Sequence, residues 1–419
     1  MNILISAYAC ETGRGSEGEI GWRMVNALAE HHEVRVITRA NLRAVHAASF
    51  SETQKPDRLT FEYFDLPWIF RFYKKGNRFF LIYYYLWQIG VAFRARRMLR
   101  DEPADVLHHL IGGMDWMPSG LALCSGPLVW GPVGSENTHP VILRHLAAKS
   151  RLKEAVRISM RWCLRTLEPF TRFTGARASI VLSHTPETMP RRYADRLRPF
   201  TQTGIADLPS LARPKTDLVR GDCLHLVYAG ELKDWKGARM ALEAALAFFE
   251  TGAEADLVVV GDGPLRAEME AAIQAHPNGR QVRFLGKVPM ERLIDELYKG
   301  DVFLYPTFHH GLATIVLQAM LTGLPIICIE GDATGRAVGQ EAGITVPLSE
   351  TETPSAGLAR ALANLADDED RRQALGRASR RMALEQYSYD VLSRRVEQSY
   401  RDVLSAGASD SASILKEDL

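Results

Sequence analysis

The sequence predicts an α/β protein built from two doubly wound parallel sheets, and three observations carry that reading. The chain has 419 residues, too many for one ordinary core. Two buried-strand openings that run into glycine begin near Asn2 and Leu224. After each opening, strands alternate with helices of crossover length, which imposes right-handed βαβ units and a parallel sheet.

The first opening is NILISAYACETGRGSEGEIGW, Asn2–Trp22. It is followed by the helical stretch GWRMVNALAEHH and the strand EVRVITR, and later by the continuous apolar strands DVLHHLI and PLVWGPV. The second opening, LHLVYAGELKDWKG at Leu224–Gly237, leads into a regular alternation. Helix GARMALEAALAFFE precedes strand ADLVVVGDG, helix PLRAEMEAAIQAH, strand VRFLGKV, helix ERLIDELYKG, strand DVFLYP, helix TIVLQAMLTG and strand PIICIE. Between the halves, residues 198–220 mix proline, glycine and charge without sustained periodicity and read as a linker. The domains expected are 1–200, 201–384 and a helix at 385–404, with 405–419 a small, polar, disordered tail.

Composition narrows the class. Hydrophobic residues make up 46% and charged residues 24%, as in a folded soluble protein. Cys10, Cys124, Cys163, Cys223 and Cys328 are odd in number and scattered. They show no C-x-x-C pair and no nearby histidine set suggestive of zinc, so a reducing compartment and no metal are expected. The apolar run Ile3–Ala9 is too short for a signal-peptide core, and no stretch reaches the length of a membrane span, so a cytoplasmic location is expected. The net charge of +1 hides an asymmetry: Lys+Arg outnumber Asp+Glu by 28 to 18 through residue 200, and are outnumbered 23 to 32 after it. The basic half concentrates its charge at 71–100, with eight basic residues, no acidic ones and a dense aromatic cluster, and at 144–172. Both stretches read as contacts for an anionic membrane surface at the inner face of the cytoplasmic membrane. The rival reading of FFLIYYYLW as buried core stays open.

In open parallel sheets, ligands bind beyond the carboxyl ends of strands, where glycine turns meet helix N-termini that attract anions. Gly13, Gly15, Gly18 and Gly21 follow the first strand, and Gly230, Gly237, Gly261 and Gly263 follow strands of the second half.

Together with GPVGSEN, VVGDGPLR, VRFLGKVP, DVFLYPTFHHGLATIVLQAMLTGLPIIC and EQYSYDVLSRRVEQSYRDVL, these segments resemble the family-four retaining glycosyltransferases of the GT-B fold, the bacterial glycosyltransferase group 1. The resemblance implies two Rossmann-like domains facing a cleft, the second binding a nucleotide sugar and the first a glycan or lipid-linked acceptor. It implies retaining transfer without metal or other cofactor, and without nucleic acid, in making bacterial exopolysaccharide, capsule or lipopolysaccharide. By position, Lys236 matches the lysine on the donor diphosphate. Leu312, Ala313, Thr314 and Ile315 match the helix start facing the phosphates, Gly286, Lys287 and Val288 the strand end that reads the base, and Gln318 the ribose-binding glutamate. Gly15, Ser16 and Gly18 match the phosphate-facing loop of the first half. His109 is the expected histidine on the reacting sugar, His108 faces the acceptor, and Lys236, His109 and His310 form the catalytic set; Glu136, in GPVGSEN, either binds acceptor hydroxyls or holds a loop. Two positions depart from the family: His310 stands for its donor-contacting glutamate and Glu231 for its diphosphate arginine. Those departures keep a noncatalytic nucleotide-sugar-binding subunit in view, alongside a sugar-nucleotide epimerase on the same framework.

Overall fold

The computed structural model describes residues 1–12, 15–52, 54–73, 78–135, 140–145, 148–205, 223–308, 311–331 and 333–417. They form two compact units, Met1–Ser135 with Val156–Gln202 and Tyr389–Leu419, and Glu136–Ala155 with Thr203–Ser388.

The first unit opens with β1 (Asn2–Ala7), α1 (Gly15–Ala29), β2 (Glu33–Arg39), α2 (Arg43–Glu52), β3 (Leu59–Phe64), α3 (Phe80–Asp101), β4 (Val106–Ile111) and β5 (Leu128–Val133). The chain continues through α4 (Pro140–His145), part of the second unit, and α5 (Ala148–Leu167) to α6 (Pro169–Arg177), β6 (Ile180–Ser183) and β7 (Leu197–Pro199). Its seven strands are parallel in the order β3-β2-β1-β4-β5-β6-β7. Successive side chains of a strand face opposite sides, so the apolar strands build a core on each face. Ile3, Ile5, Val106 and Val129 enter one, and Leu4, Leu107, Trp130 and Val181 the other. The second face is covered by α3, whose Tyr83, Tyr84, Trp87, Val91 and Ala95 are buried. The aromatic run of 79–87 is therefore in large part core, which corrects its reading as a membrane-facing cluster. α6 is set by Glu168, which accepts from the amides of Phe170 and Thr171, and by Pro169 in its first turn.

The second unit carries β8 (Leu224–Ala229), α7 (Ala238–Phe249), β9 (Ala255–Val260), α8 (Arg266–Ala275), β10 (Val282–Gly286), α9 (Met290–Lys299), β11 (Val302–Leu304), α10 (Thr314–Leu321), β12 (Ile326–Ile329), α11 (Ala333–Val338), β13 (Gly343–Val346), α12 (Pro354–Ala366) and α13 (Glu369–Tyr387). Its six strands are parallel in the order β10-β9-β8-β11-β12-β13. Thr353 caps α12 through the Ala356 amide, and Asp368 caps α13 through that of Arg371.

The last helix, α14 (Tyr389–Glu417), belongs to the first unit. Leu392, Val396, Tyr400 and Val403 recur at helical spacing and are buried in the core beside α1. Each contributes on the order of 1.5–3 kcal/mol by burial. The helix starts at Tyr389 rather than 385, and it runs on through the residues expected to form a disordered tail. No proline interrupts 405–417, and alanine and serine there tolerate helical geometry. Among the described residues, no helix is long and apolar enough to cross a membrane.

Candidate functional site

Each sheet reverses its strand order once, between β1 and β4 in the first unit and between β8 and β11 in the second. Strands diverge into opposite crossovers at such points and leave a crevice beyond their carboxyl ends.

In the first unit, the chain leaving β1 turns through Tyr8–Thr12 into α1, which Gly15 and Ser16 open. The side chain organising this turn is Glu11. It is buried, accepts from the Cys10 amide at 2.7 Å, and pairs with Arg39 at 3.0 Å. Arg39 in turn donates to the Tyr8 carbonyl at 2.8 Å and lies 4.6 Å from the centre of its ring. A Cβ on Gly18 would come within 2.9 Å of the Glu11 carbonyl oxygen, and one on Gly21 within 2.4 Å of that of Ala9. The glycines thus let α1 press against the turn, with the Cα of Gly18 turned toward Glu11. Sequence reasoning read the glycines and missed Glu11–Arg39, whose signal was an acidic residue at a buried strand end with a basic residue ending the next strand.

β4 sends its two histidines to opposite faces. His108 is fully buried, with Nδ1 2.6 Å from the Tyr400 hydroxyl and Nε2 2.7 Å from the Gly131 carbonyl. Burial pulls its pKa down to about 4. Both ring nitrogens are occupied in tying β4 to α14 and β5, so the expected acceptor contact is corrected to a structural one. His109 faces α3, is 2% exposed, and has Nε2 3.4 Å from the Tyr84 hydroxyl. Burial, then the neighbouring His108, holds its pKa down to about 3, so the imidazole is neutral. Among the described residues its Nδ1 has no hydrogen bond of good geometry, and the Gly112 backbone is the polar group that acts on the ring. Glu136 lies outside the described residues.

In the second unit, β8 ends at Ala229 and the chain passes Gly230, Glu231, Leu232 and Lys233 into a 3-10 turn at Asp234–Lys236. Gly237, with φ of 73°, then starts α7. A Cβ there would lie 2.1 Å from the Pro306 carbonyl oxygen, so only glycine lets the turn pass this close to the segment after β11. The Trp235 carbonyl accepts from Thr307 Oγ1 at 3.1 Å and from the Phe308 amide at 3.3 Å, which fixes the turn. Lys236 Nζ sits 4.7 Å and Lys233 Nζ 5.4 Å from the centre of a Trp235 ring. Glu231 is half exposed and pairs with Lys233 Nζ at 2.7 Å.

Beyond β11, α10 begins at Thr314 behind an extended Ala313. Its N-cap residue Ala313 has no side-chain oxygen to offer, so among the described residues no N-cap side chain covers its first amides and positive dipole end. The preceding turn is anchored by Thr203 Oγ1, which donates to the Leu312 carbonyl at 2.6 Å. At the end of β10, Gly286 has φ of 69° and its carbonyl accepts from the Gly261 amide at 2.8 Å. Lys287 is exposed and Val288 packs on the core. Gln318 departs from expectation: α10 is buried on nearly all sides, and Gln318 is 7% exposed with its amide donating to Met290 Sδ at 3.5 Å. His310 lies outside the described residues.

The second unit thus brings together Lys236, Lys233, Glu231 and the α10 start around one switch point, and the first unit brings together Glu11, Arg39 and His109 around another.

Comparisons with known proteins agree with this architecture. Residues 216–382 match the family described as glycosyl transferases group 1. The chain is 25% identical over 291 residues to the 2-deoxystreptamine glucosyltransferase of Streptomyces kanamyceticus, covering 67% of this chain and 73% of that one. It is 26% identical over 324 residues to the 2-deoxystreptamine N-acetyl-D-glucosaminyltransferase of Streptomyces fradiae, covering 74% of each. Among solved structures, sucrose-phosphate synthase from Thermosynechococcus elongatus superposes with a TM-score of 0.61 at 17% identity, covering 97% of this chain and all of that one. WaaG, a glycosyltransferase involved in lipopolysaccharide biosynthesis, does so with 0.56 at 16% identity, covering 94% of this chain and 98% of that one. Parallel sheets in both units, a group 1 sequence match across the second and relatives that are themselves glycosyltransferases lead to one assignment: the chain is a glycosyltransferase of the GT-B fold, similar over residues 216–382 to the glycosyl transferases group 1.

Proposed function

We propose that this enzyme moves a sugar from a nucleoside-diphosphate donor to a glycan or lipid-linked glycan acceptor, with retention of configuration and without a metal in the transfer step. The observation that carries the reading is that the Lys236 turn after β8, tied through the Trp235 carbonyl to Thr307 and Phe308, and the α10 start after β11 both follow the strands of one switch point. A bond to a nucleoside diphosphate breaks by placing negative charge on the leaving phosphate, and oriented amides with a fixed cation stabilise that charge. Trp235 holds Lys236 from below, and Gly237 keeps the turn beside the segment leading to α10. The Gly286–Val288 strand end supplies backbone groups for the base. In a retaining transfer, the leaving phosphate accepts the acceptor hydroxyl proton, so no carboxylate nucleophile is needed. His109, neutral and buried beside Tyr84, is the histidine we assign to the reacting sugar. Among structural neighbours, the Anabaena protein HepE has been crystallised with UDP and with UDP-glucose, which supports a donor of this class.

The test is a panel of UDP-, GDP- and ADP-sugars. A ligand that binds only the folded chain raises its melting temperature, and the sugar nucleotide that does so should be hydrolysed or used in transfer with EDTA present. No stabilisation by any member sinks the donor assignment.

A further inference from the structure

The second unit carries a cluster of metal-ligand side chains at the opposite, amino-terminal edge of its sheet. Cys223 precedes β8 and His225 is its second residue, so on an extended chain their side chains share one face. Asp256, the second residue of β9, is the register partner of His225 and comes onto the same face. One donor atom from each of Cys223, His225 and Asp256 lies within 4.8 Å of the others. His225 Nδ1 is 2.9 Å from an Asp256 carboxylate oxygen, and both side chains are partly exposed. The His225 amide donates to Asp301 Oδ2 at 2.8 Å, which fixes the strand start that presents the imidazole. The scattered cysteines gave no zinc signal in sequence, because the third group arrives through sheet register from a residue 31 positions from His225.

We propose that Cys223, His225 and Asp256 form a binding site for a divalent cation of borderline softness, zinc before others, that clips β8 to β9. The ligand set is the argument. Thiolate, imidazole and carboxylate together favour zinc over magnesium or calcium, which take oxygen ligands. Tetrahedral zinc bonded to these groups at about 2.0–2.3 Å needs donors roughly 3.3–3.7 Å apart, so side-chain rotation of about 1 Å completes the set without moving a strand. Water fills the fourth position. The surrounding charge favours a cation as well, because the Asp301 carboxylate that holds the His225 amide adds an anionic group beside Asp256. Binding releases the thiol proton while the imidazole proton moves to Nε2. Because the site lies at the amino ends of the strands, away from Lys236 and α10, it serves stability and not the transfer step.

Cobalt(II), which reports its own ligands, tests this on the full metal-free chain. About one equivalent should bind, with a thiolate-to-cobalt charge-transfer band and intense tetrahedral d–d bands, and zinc should displace it and raise the melting temperature. Cys223→Ser should abolish the charge-transfer band and weaken binding more than 100-fold, beyond the about 10- to 100-fold typical of losing an outer partner. Asp256→Asn should weaken binding while keeping the band, and Cys163→Ser, removing the other exposed thiol, should change nothing. Far-ultraviolet circular dichroism confirms that each variant is folded. No cobalt binding at micromolar protein, a band that survives Cys223→Ser, or a band lost in Cys163→Ser would each overturn the proposal.

Discussion

Glu231 and Lys233 neutralise each other across the turn that leaves β8, with the ammonium 2.7 Å from the carboxylate. The acidic residue that stands where the family carries a diphosphate arginine is therefore balanced by a cation two positions on. Lys233 is restrained by Glu231 on one side and by the Trp235 ring on the other, while Lys236 lies over the same ring. Replacing Glu231 with Gln should release Lys233 toward a bound diphosphate. An exposed pair of this kind contributes about 0–1 kcal/mol, so nucleoside-diphosphate affinity should rise about two- to five-fold. Glu231→Arg should tighten it further, and Lys233→Met should cancel the gain from Glu231→Gln. Calorimetry with the bare nucleoside diphosphate checks all three; unchanged affinity in both Glu231 variants would place the pair outside the phosphate site.

Lys236→Ala should lower kcat/KM about 10- to 100-fold, the value of a charged hydrogen bond of about 1.5–3 kcal/mol. Part of the loss should appear in kcat, because the contact strengthens as charge develops on the leaving phosphate. Steady-state transfer kinetics with EDTA present measure both parameters, provided the chain stays folded when chelated. Wild-type kcat/KM in Lys236→Ala would remove the lysine from the mechanism.

What the sequence disclosed and what it hid divide along a physical line. β8 to β12 and the helices between them were legible because each is a short apolar run or a 3.6-period stripe bounded by glycine or proline. The turn at Lys236 was legible because glycine spacing marks a strand end. Residues whose roles depend on which way a side chain points were not. His108 and His109 are neighbours in sequence and lie on opposite faces of β4, so only the packing of α14 on one face and α3 on the other separates them. Gln318 sits on a helix that proved buried nearly all round, and the direction of its amide was set by Met290. Glu11–Arg39 joins two strand ends through parallel pairing, and Cys223–His225–Asp256 does the same at the other edge of the second sheet. Contacts of that kind carry no local sequence period.

The two histidines should separate by experiment. His108→Ala leaves the Tyr400 hydroxyl and the Gly131 carbonyl unpaired in the core and should cost about 2–4 kcal/mol of stability. His109→Asn should cost less stability and more kcat. Their titration adds a second test. Both pKa values are lowered in the folded chain, to about 4 and about 3, against about 6.5 unfolded. Between these limits the unfolded chain binds protons that the folded chain excludes, so each histidine makes stability rise with pH, by about 1.4 kcal/mol per unit, up to about pH 6.5. Above that pH the contribution is constant. Denaturant unfolding between pH 5 and 7 should show a shallower slope in His109→Asn than in the wild type. Equal slopes would mean that the imidazole is not excluded from protonation.

Membrane attachment is the last prediction, and the structure narrows it. The sequence placed the contact at 71–100 and 144–172, but Tyr83, Tyr84 and Trp87 in the first stretch are core residues of α3. Among the described residues from 68 to 82, Trp68, Ile69, Phe70, Phe72, Phe79 and Ile82 face solvent, with Trp68 71% exposed. Arg71 and Arg78 stand within this stretch. Separately, α5 exposes Leu152, Val156, Met160 and Trp162 beside Arg151, Lys153 and Arg157. Spacing of four residues between the first three puts them on one stripe, as expected of a helix that lies in the headgroup plane. Contiguous exposed aromatics are costly in water and mark an interaction surface. Basic residues beside them favour an anionic partner, each contributing on the order of 1 kcal/mol near an anionic surface. The full chain should therefore co-sediment with phosphatidylserine-containing vesicles at low salt and much less with neutral phosphatidylcholine. Raising ionic strength should weaken the electrostatic share, because surface charges are screened beyond about 10 Å at 0.1 M salt. Trp68→Ser with Phe72→Ser should reduce binding at every salt concentration by removing apolar insertion, whereas Arg151→Ser with Lys153→Ser should reduce it chiefly at low salt. Equal sedimentation with neutral and anionic vesicles, or none with either, would sink the electrostatic reading, and full binding by the Trp68/Phe72 variant would move the apolar contact to α5.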